Sequence, residues 1–270
     1  MTMRLLEGDI EGVIHDVIET QPDRIVLITP GSRAIQQLID RIDPSIDTTV
    51  SILAREETLK DVTADFLVAS KAADLEATGV LELRSVESPS EHALLVTESE
   101  VISLLDLFDG IVGMGSADSA LNDRVWHSFE RRWDRSTPFS HRTPPMSQIR
   151  STLERESGED VRIDFDAILS ALEGARGPAE DVDEVVISLL AAARNRVLLY
   201  DISKWGEDVG VASKATYSRT KTILEESGLI ETEKVPIDVG RPRLRLVLSN
   251  EKLKDAAPDE LANVALSVLE

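Results

Sequence analysis

The chain has 270 residues, 42% of them hydrophobic, enough for one large domain or two ordinary ones with proper cores. Its 50 Asp and Glu against 29 Lys and Arg give a formal charge of -21, which excludes a globally basic nucleic-acid coat and leaves room only for a local basic site. Cysteine is absent, removing disulfide scaffolds, thiol catalysis and cysteine metal centres, and the four histidines (His15, His92, His127, His141) lack metal-ligand spacing.

No run approaches the roughly 20 apolar residues of a membrane helix, and MTMRLLEGDI turns acidic where a signal peptide would turn apolar. A cytoplasmic protein with no membrane partner is expected. The bases divide into 8 Lys and 21 Arg, and this acid-rich, lysine-poor balance matches proteins of salt-in halophiles. At about 1 M salt the Debye length is near 3 Å, so an acidic surface does not repel a polyanion at a distance. Between Arg194 and Lys254 the count is 12 Lys and Arg against 9 Asp and Glu, so a +3 stretch stands in an otherwise acidic chain and implies a separate domain.

In chain order, Leu5, Leu6, Ile10, Val13, Ile14, Val17 and Ile18 form a stripe with helical spacing. Strands follow at 24–29 and 49–54, separated by a helix over 32–42. The pattern then predicts a helix over 59–77, strands at 80–86 and 92–97 that read as a hairpin, a short strand at 110–113 and a helix over 119–135. Alternation of this kind predicts an α/β domain with a mostly parallel sheet over residues 1–140. Pro138, Pro144 and Pro145 break the pattern, and a helical connector is expected over 141–180, with helices at 146–157 and 165–172.

The basic stretch carries the clearest signal. Helices at 183–195, 198–208 and 213–227, then strands at 229–235 and 243–248 joined by PIDVGRP, predict a C-terminal winged helix-turn-helix over 181–250, followed by a last helix over 251–270. Leu198, Leu199 and Ile202 give the second helix a buried face, and Ile223 and Leu224 are expected to anchor the third. Ser213 is the expected N-cap. The third helix then offers Lys214, Thr216, Tyr217, Arg219, Thr220 and Lys221 to a major groove, where cations and hydroxyls reach base edges and phosphates. Arg241, Arg243 and Arg245 at the wing are expected on phosphate or in the minor groove.

The segments LLYDISKWGEDVGVASKATYSRTKTILEESGLIETE and VGRPRLRLVLS, with RIVLITPGSRAI and WHSFERRWDRSTPF upstream, resemble the TbsP-type transcriptional regulators of haloarchaea over nearly the whole length. The resemblance implies a sequence-specific regulator that binds double-stranded DNA and is associated with genes of sugar and central carbon metabolism. The front domain also resembles the degenerate phospholipase-D-like sensor of TrmB-like regulators. Phospholipase D chemistry needs a nucleophilic His followed two residues later by Lys, whereas His92 is followed by Ala93 and Leu94, and Ser99 stands where an Asp is needed. No catalytic residue, cofactor or metal is expected.

A ligand site is expected beyond the strand ends, with Ser32 and Arg33 at one helix start, Arg55 after the next strand and Gly115 with Ser116 after the last converging on a sugar or phosphorylated metabolite. Trp126, Phe129 and Trp133 read as core. Specific operators usually need two reading heads about one helical turn apart, so a homodimer is expected, its seam drawn from Ile149, Leu153, Ile168, Leu169 and Leu172 or from Leu261, Val264, Ala265, Val268 and Leu269. The rival readings are an enzyme or an assembly module whose winged helix binds protein instead of DNA.

Overall fold

The β-branched runs RIVLI and TVSILA become neighbouring parallel strands, and the rest of the front half is built around them. The computed structural model describes residues 3–6, 10–29, 31–43, 47–87, 92–107, 110–174, 183–237, 240–249 and 251–269. The chain divides into two compact units, Met1–Met146 and Ser147–Glu270.

The first unit holds, in order, β1 (Met3–Leu6), α1 (Ile10–Glu19), β2 (Arg24–Ile28), α2 (Ser32–Arg41), β3 (Thr49–Ala54), α3 (Glu56–Val62), α4 (Phe66–Ala77), β4 (Leu81–Ser85), β5 (Ala93–Val96), β6 (Val101–Leu107), β7 (Gly110–Ser116), α5 (Ser119–Trp133) and β8 (Thr137–Pro138). These strands form one mixed sheet in the order β1-β7-β6-β5-β2-β3-β4-β8. The α/β class holds, and β2–β3 and β3–β4 pair parallel, where helical crossovers return the chain to the same edge. The pairs β5–β2, β5–β6, β6–β7, β1–β7 and β4–β8 are antiparallel.

Several local expectations change. Leu5 and Leu6 lie in β1 rather than in a helix, because strand pairing with Met114 and Gly113 overrides the spacing they share with α1. The helix expected over 59–77 is two, since Asp65 accepts from the amides of Leu67 and Val68 and starts α4 afresh. The 80–86 and 92–97 segments are not a hairpin: β4 pairs with β3 and β8, while β5 finds its hairpin partner in β6, a strand the sequence reading passed over.

Strand alternation sorts the sheet into two faces. Ile25, Leu27, Val50, Ile52, Leu81, Leu83, Leu95 and Ile102 pack with α1 to α4, and Val26, Ile28, Leu53, Val96 and Val101 pack with Phe129 of α5. Phe129 is buried between Trp126 and Trp133, with ring centroids 6.0 and 5.2 Å away. The Arg24 guanidinium lies 5.4–5.9 Å from all three rings and donates to Ser51 Oγ at 2.8 Å, so Phe129 is core as expected, while Trp126 and Trp133 are half-buried beside a half-buried cation.

The second unit contains α6 (Met146–Ser157, whose first residue closes the first unit), α7 (Glu159–Gly174), α8 (Glu184–Arg194), α9 (Leu199–Val209), α10 (Lys214–Glu226), β9 (Ile230–Val235), β10 (Arg243–Leu248), α11 (Glu251–Asp255) and α12 (Pro258–Leu269). Every residue from Val185 to Ala193 is buried, which makes α8 the central helix, packed by α7, α9, α10, α12 and β10. Trp205 of α9 is buried and donates its indole N–H to Thr152 Oγ1 of α6 at 2.9 Å. Ile149, Leu153, Ile168, Leu169, Leu261 and Ala265, expected at a dimer seam, are instead consumed by this core, while Val268 is exposed and the Leu172 side chain lies outside the described residues. Among the described residues no helix is long and apolar enough to cross a membrane.

Candidate nucleic-acid interface

The helix-turn-helix is set by two glycines and one tyrosine. Gly210 ends α9 at φ 94°, a left-handed conformation that glycine adopts without a Cβ penalty, and the chain turns towards α10. Ser213 caps α10 as expected, accepting from the Thr216 amide at 3.2 Å. Gly206, inside α9, lets α10 approach closely: a Cβ there would lie 2.3–2.5 Å from the Tyr217 ring.

Tyr217 therefore corrects the sequence reading, since it is completely buried and faces α8 and α9 rather than outwards. Its hydroxyl is 3.1 Å from Ser188 Oγ, and burial pushes the phenol well above its ordinary range. Thr220 is buried beside it at one-turn spacing, as is Leu224. With those three inward, the 100° step of the helix turns Ala215, Ser218, Arg219 and Thr222 to the opposite side, and all four are exposed. Ser218 and Thr222 were missed by sequence reasoning, yet follow from helical spacing once Tyr217 is placed inside. Ile223, expected as an anchor, is 48% exposed on the same outer side.

The cations differ in state. Lys214 Nζ is 2.5 Å from Glu207 Oε2, holding that carboxyl below the usual glutamate range and raising the lysine. Lys221 is mostly covered, with 13% of its side chain exposed, and contacts Glu225, whose other oxygen accepts from Thr232 Oγ1; it ties α10 to β9 instead of standing on the outer face. Arg243 lies over the Tyr200 ring at 4.8 Å with Asp201 at 3.7 Å. The side chains of Arg219, Arg241 and Arg245 have no hydrogen-bond or ion-pair partner among the described residues; Arg219 and Arg241 are exposed and Arg245 half-buried.

The wing is the ladder of β9 and β10, with Arg243 opposite Val235 and Arg245 opposite Glu233. Leu198, just before α9, bridges Arg245 and gives the ribbon a third edge. Between α9, α10 and β10 runs a groove of about 310 Å³ whose lining includes Tyr200, Ser203, Lys214, Ser218 and Arg243.

The expected ligand residues of the first unit divide. Ser32 and Arg33 begin α2 after β2, and Arg55 is the N-cap of α3 after β3, so they share the carboxyl edge of two adjacent parallel strands, and neither helix has a side-chain cap. Gly115 and Ser116 do not join them, because β7 runs opposite to β2 and lies three strands away, about 14 Å. Gly115 is paired with Ile102 and Arg4 inside the sheet, and Ser116 sits level with Val26, short of the carboxyl edge. His92 is exposed and accepts the Thr29 hydroxyl on its carbonyl. Among the described residues no His, Asp and Glu cluster could hold a metal ion.

Three helices, a capped second turn and a two-stranded ribbon define a winged helix-turn-helix protein behind an α/β unit. Residues 145–266 match the family model of the TbsP-like transcriptional regulator C-terminal HTH domain, and residues 2–144 match the TbsP-like N-terminal model; the chain belongs to this family of transcriptional regulators. No curated protein matches it. Among solved structures it is similar to the archaeal chromatin protein TrmBL2, described as having a novel mode of DNA binding, at 15% identity and TM-score 0.37 over 52% of this chain and 55% of that one, so the match spans about half of the archaeal protein. It is also similar to Nuc, a phospholipase D family member from Salmonella typhimurium, at 10% identity and TM-score 0.38 over 52% of this chain and 99% of that one.

Proposed function

We propose that this regulator binds duplex DNA in a sequence-specific manner, with the outer face of α10 in the major groove and the wing on the flanking backbone. The observation that carries the reading is convergence: Lys214, Ser218 and Arg243 line one groove, beside an Arg219 that is exposed and has no partner among the described residues. An unpaired guanidinium matches the guanine edge bidentately, and serine and threonine hydroxyls donate to phosphate oxygens or pair with base edges. Anisotropy titration of the protein against genomic fragments in molar potassium chloride tests it. Saturable binding to a subset of fragments, lost in Arg219→Ala, is expected; equal weak binding to all fragments overturns the sequence-specific reading, and no binding leaves the winged helix as a protein contact.

The finer parts of the reading follow from the family and the physical setting. The regulon we infer lies in sugar and central carbon metabolism, in the cytoplasm of a salt-rich cell, and genomic footprinting decides it. We infer a homodimer, since one winged helix reads only a few base pairs, and light scattering at micromolar protein checks this. The first unit is inferred to sense a metabolite, with Ser32, Arg33 and Arg55 as the anion-facing groups at the carboxyl edge. Coupling of about 1–3 kcal/mol between ligand and operator is the usual range, and calorimetry with Arg33→Ala measures it.

A further inference from the structure

On the sheet face away from α2 and α3, α5 leaves a hollow of about 540 Å³. That volume falls in the range of small-molecule sites. The floor is apolar, made by Ile28 at the end of β2, Leu94 at the start of β5 and Phe129 of α5. The rim is cationic, made by Arg124, Arg131 and Arg132 of the same helix. At seven- and eight-residue spacing these arginines fall along one flank of the helix, and Arg124 and Arg131 are about 10 Å apart along its axis. None of the three has a hydrogen-bond or ion-pair partner among the described residues, although the chain holds 50 acids to 29 bases.

That combination needs an explanation beyond solubility. Some exposed cations find carboxylates, as Lys60 does with Glu56 and Lys204 with Asp208, whereas Arg219 and Arg241 stand without one on the face proposed for DNA. Aligned guanidiniums along one flank repel one another, and an apolar floor beneath them gives water a poor surface. A ligand with a phosphate head and an apolar or ring-shaped body satisfies both, placing its oxygens on the fork-shaped donors and its body on the floor.

We propose that the hollow under α5 binds a small organic phosphate with an apolar or ring-shaped body. It shares with the effector reading above only the premise that the first unit takes a ligand, and it names a different place on the opposite face of the sheet. The head belongs between Arg124 and Arg131, with Arg132 closing the side.

The test uses the full chain without DNA, in potassium chloride, so a failure of operator binding does not touch it. The probe is 8-anilinonaphthalene-1-sulfonate, an anionic head on an aromatic body, displaced in turn by adenosine monophosphate, adenosine and inorganic phosphate; calorimetry with adenosine monophosphate gives a second readout. Saturable one-to-one binding is expected, with the monophosphate displacing the dye at least about tenfold better than adenosine or phosphate alone, because each supplies only half of the complement. The double variant Arg124→Ala, Arg131→Ala weakens both probes about tenfold or more with an unchanged circular dichroism spectrum, as does Leu121→Asp, which sets an acid at an exposed lining position. Arg33→Ala leaves them unchanged. Adenosine displacing as well as its monophosphate, equal binding in the arginine variants, or dye binding that disappears as the protein self-associates overturns the proposal, the last by assigning the face to a second copy.

Discussion

The two units carry similar sets of partnerless arginines on opposite shapes. In the second, Arg219 and Arg241 stand out on a helix and a wing; in the first, Arg124, Arg131 and Arg132 line one side of a hollow with an apolar floor. A protruding array suits an extended polyanion, which brings its own row of phosphates, whereas a hollow with cations along one side suits one discrete anion. In a chain of net charge -21 the placement of a few unneutralised cations, rather than the overall balance, is what the two proposed anion sites have in common.

The largest effect expected to separate the units comes from Gly206→Ala. Its new Cβ runs into a buried ring held at Ser188, so the second unit loses about 1–3 kcal/mol or more and operator affinity falls with it, while dye binding under α5 is retained. Denaturant melts followed by fluorescence in a Trp126→Phe, Trp133→Phe background, where Trp205 is the remaining indole, measure the first, and a parallel loss of the dye site in the Gly206→Ala single variant would mean that the units do not act separately. Next comes Arg219→Ala, expected to cost about 1–3 kcal/mol of operator binding with stability unchanged. Lys221→Ala should cost operator binding less than Arg219→Ala does, because its ammonium is already committed to Glu225.

Tyr217→Phe removes only the hydroxyl contact with Ser188 and is expected to lower stability by about 1 kcal/mol without altering operator preference. A changed preference in a folded protein would return Tyr217 to the DNA face. The smallest effect concerns Glu207→Gln, which releases Lys214 and should raise operator affinity about two- to fivefold in low salt and less in high salt. Because the Glu207 carboxyl is depressed, the pair is complete above the ordinary glutamate range and is lost only as pH falls through the lower, folded value. A carboxyl-detected titration should find that midpoint below the ordinary one and restore it in Lys214→Ala.

How much of this was legible in the sequence depends on how local the deciding interaction is. The winged helix was readable because its caps, turns and periodicities are short-range, down to the cap at Ser213. The inside and outside of α10 were misjudged at Tyr217, since a phenol reads as polar until a partner such as Ser188, 29 residues earlier, is known to meet it. The spacing of 217, 220 and 224 contained the answer. In the first unit, Leu5 and Leu6 followed the stripe of the next helix, and only pairing with β7, more than 100 residues away, makes them a strand. Gly115 and Ser116 were misplaced for a related reason: a strand end joins a ligand site only if the strand runs the right way, and direction is a property of the whole sheet.

The buried sleeve around α8 bears on how the molecule can be dissected. A fragment starting at Asp183 would hold the whole winged helix-turn-helix and yet would strip α7 from the buried α8 and take Thr152 of α6 away from the Trp205 indole. The smallest portable winged-helix unit accordingly runs from about Ser147 to Leu269. Grafting it onto a different partner domain means carrying more than 30 residues upstream of α8, and a library of chimaeras cut at the proline-rich stretch before α6 should stay soluble where one cut before α8 precipitates.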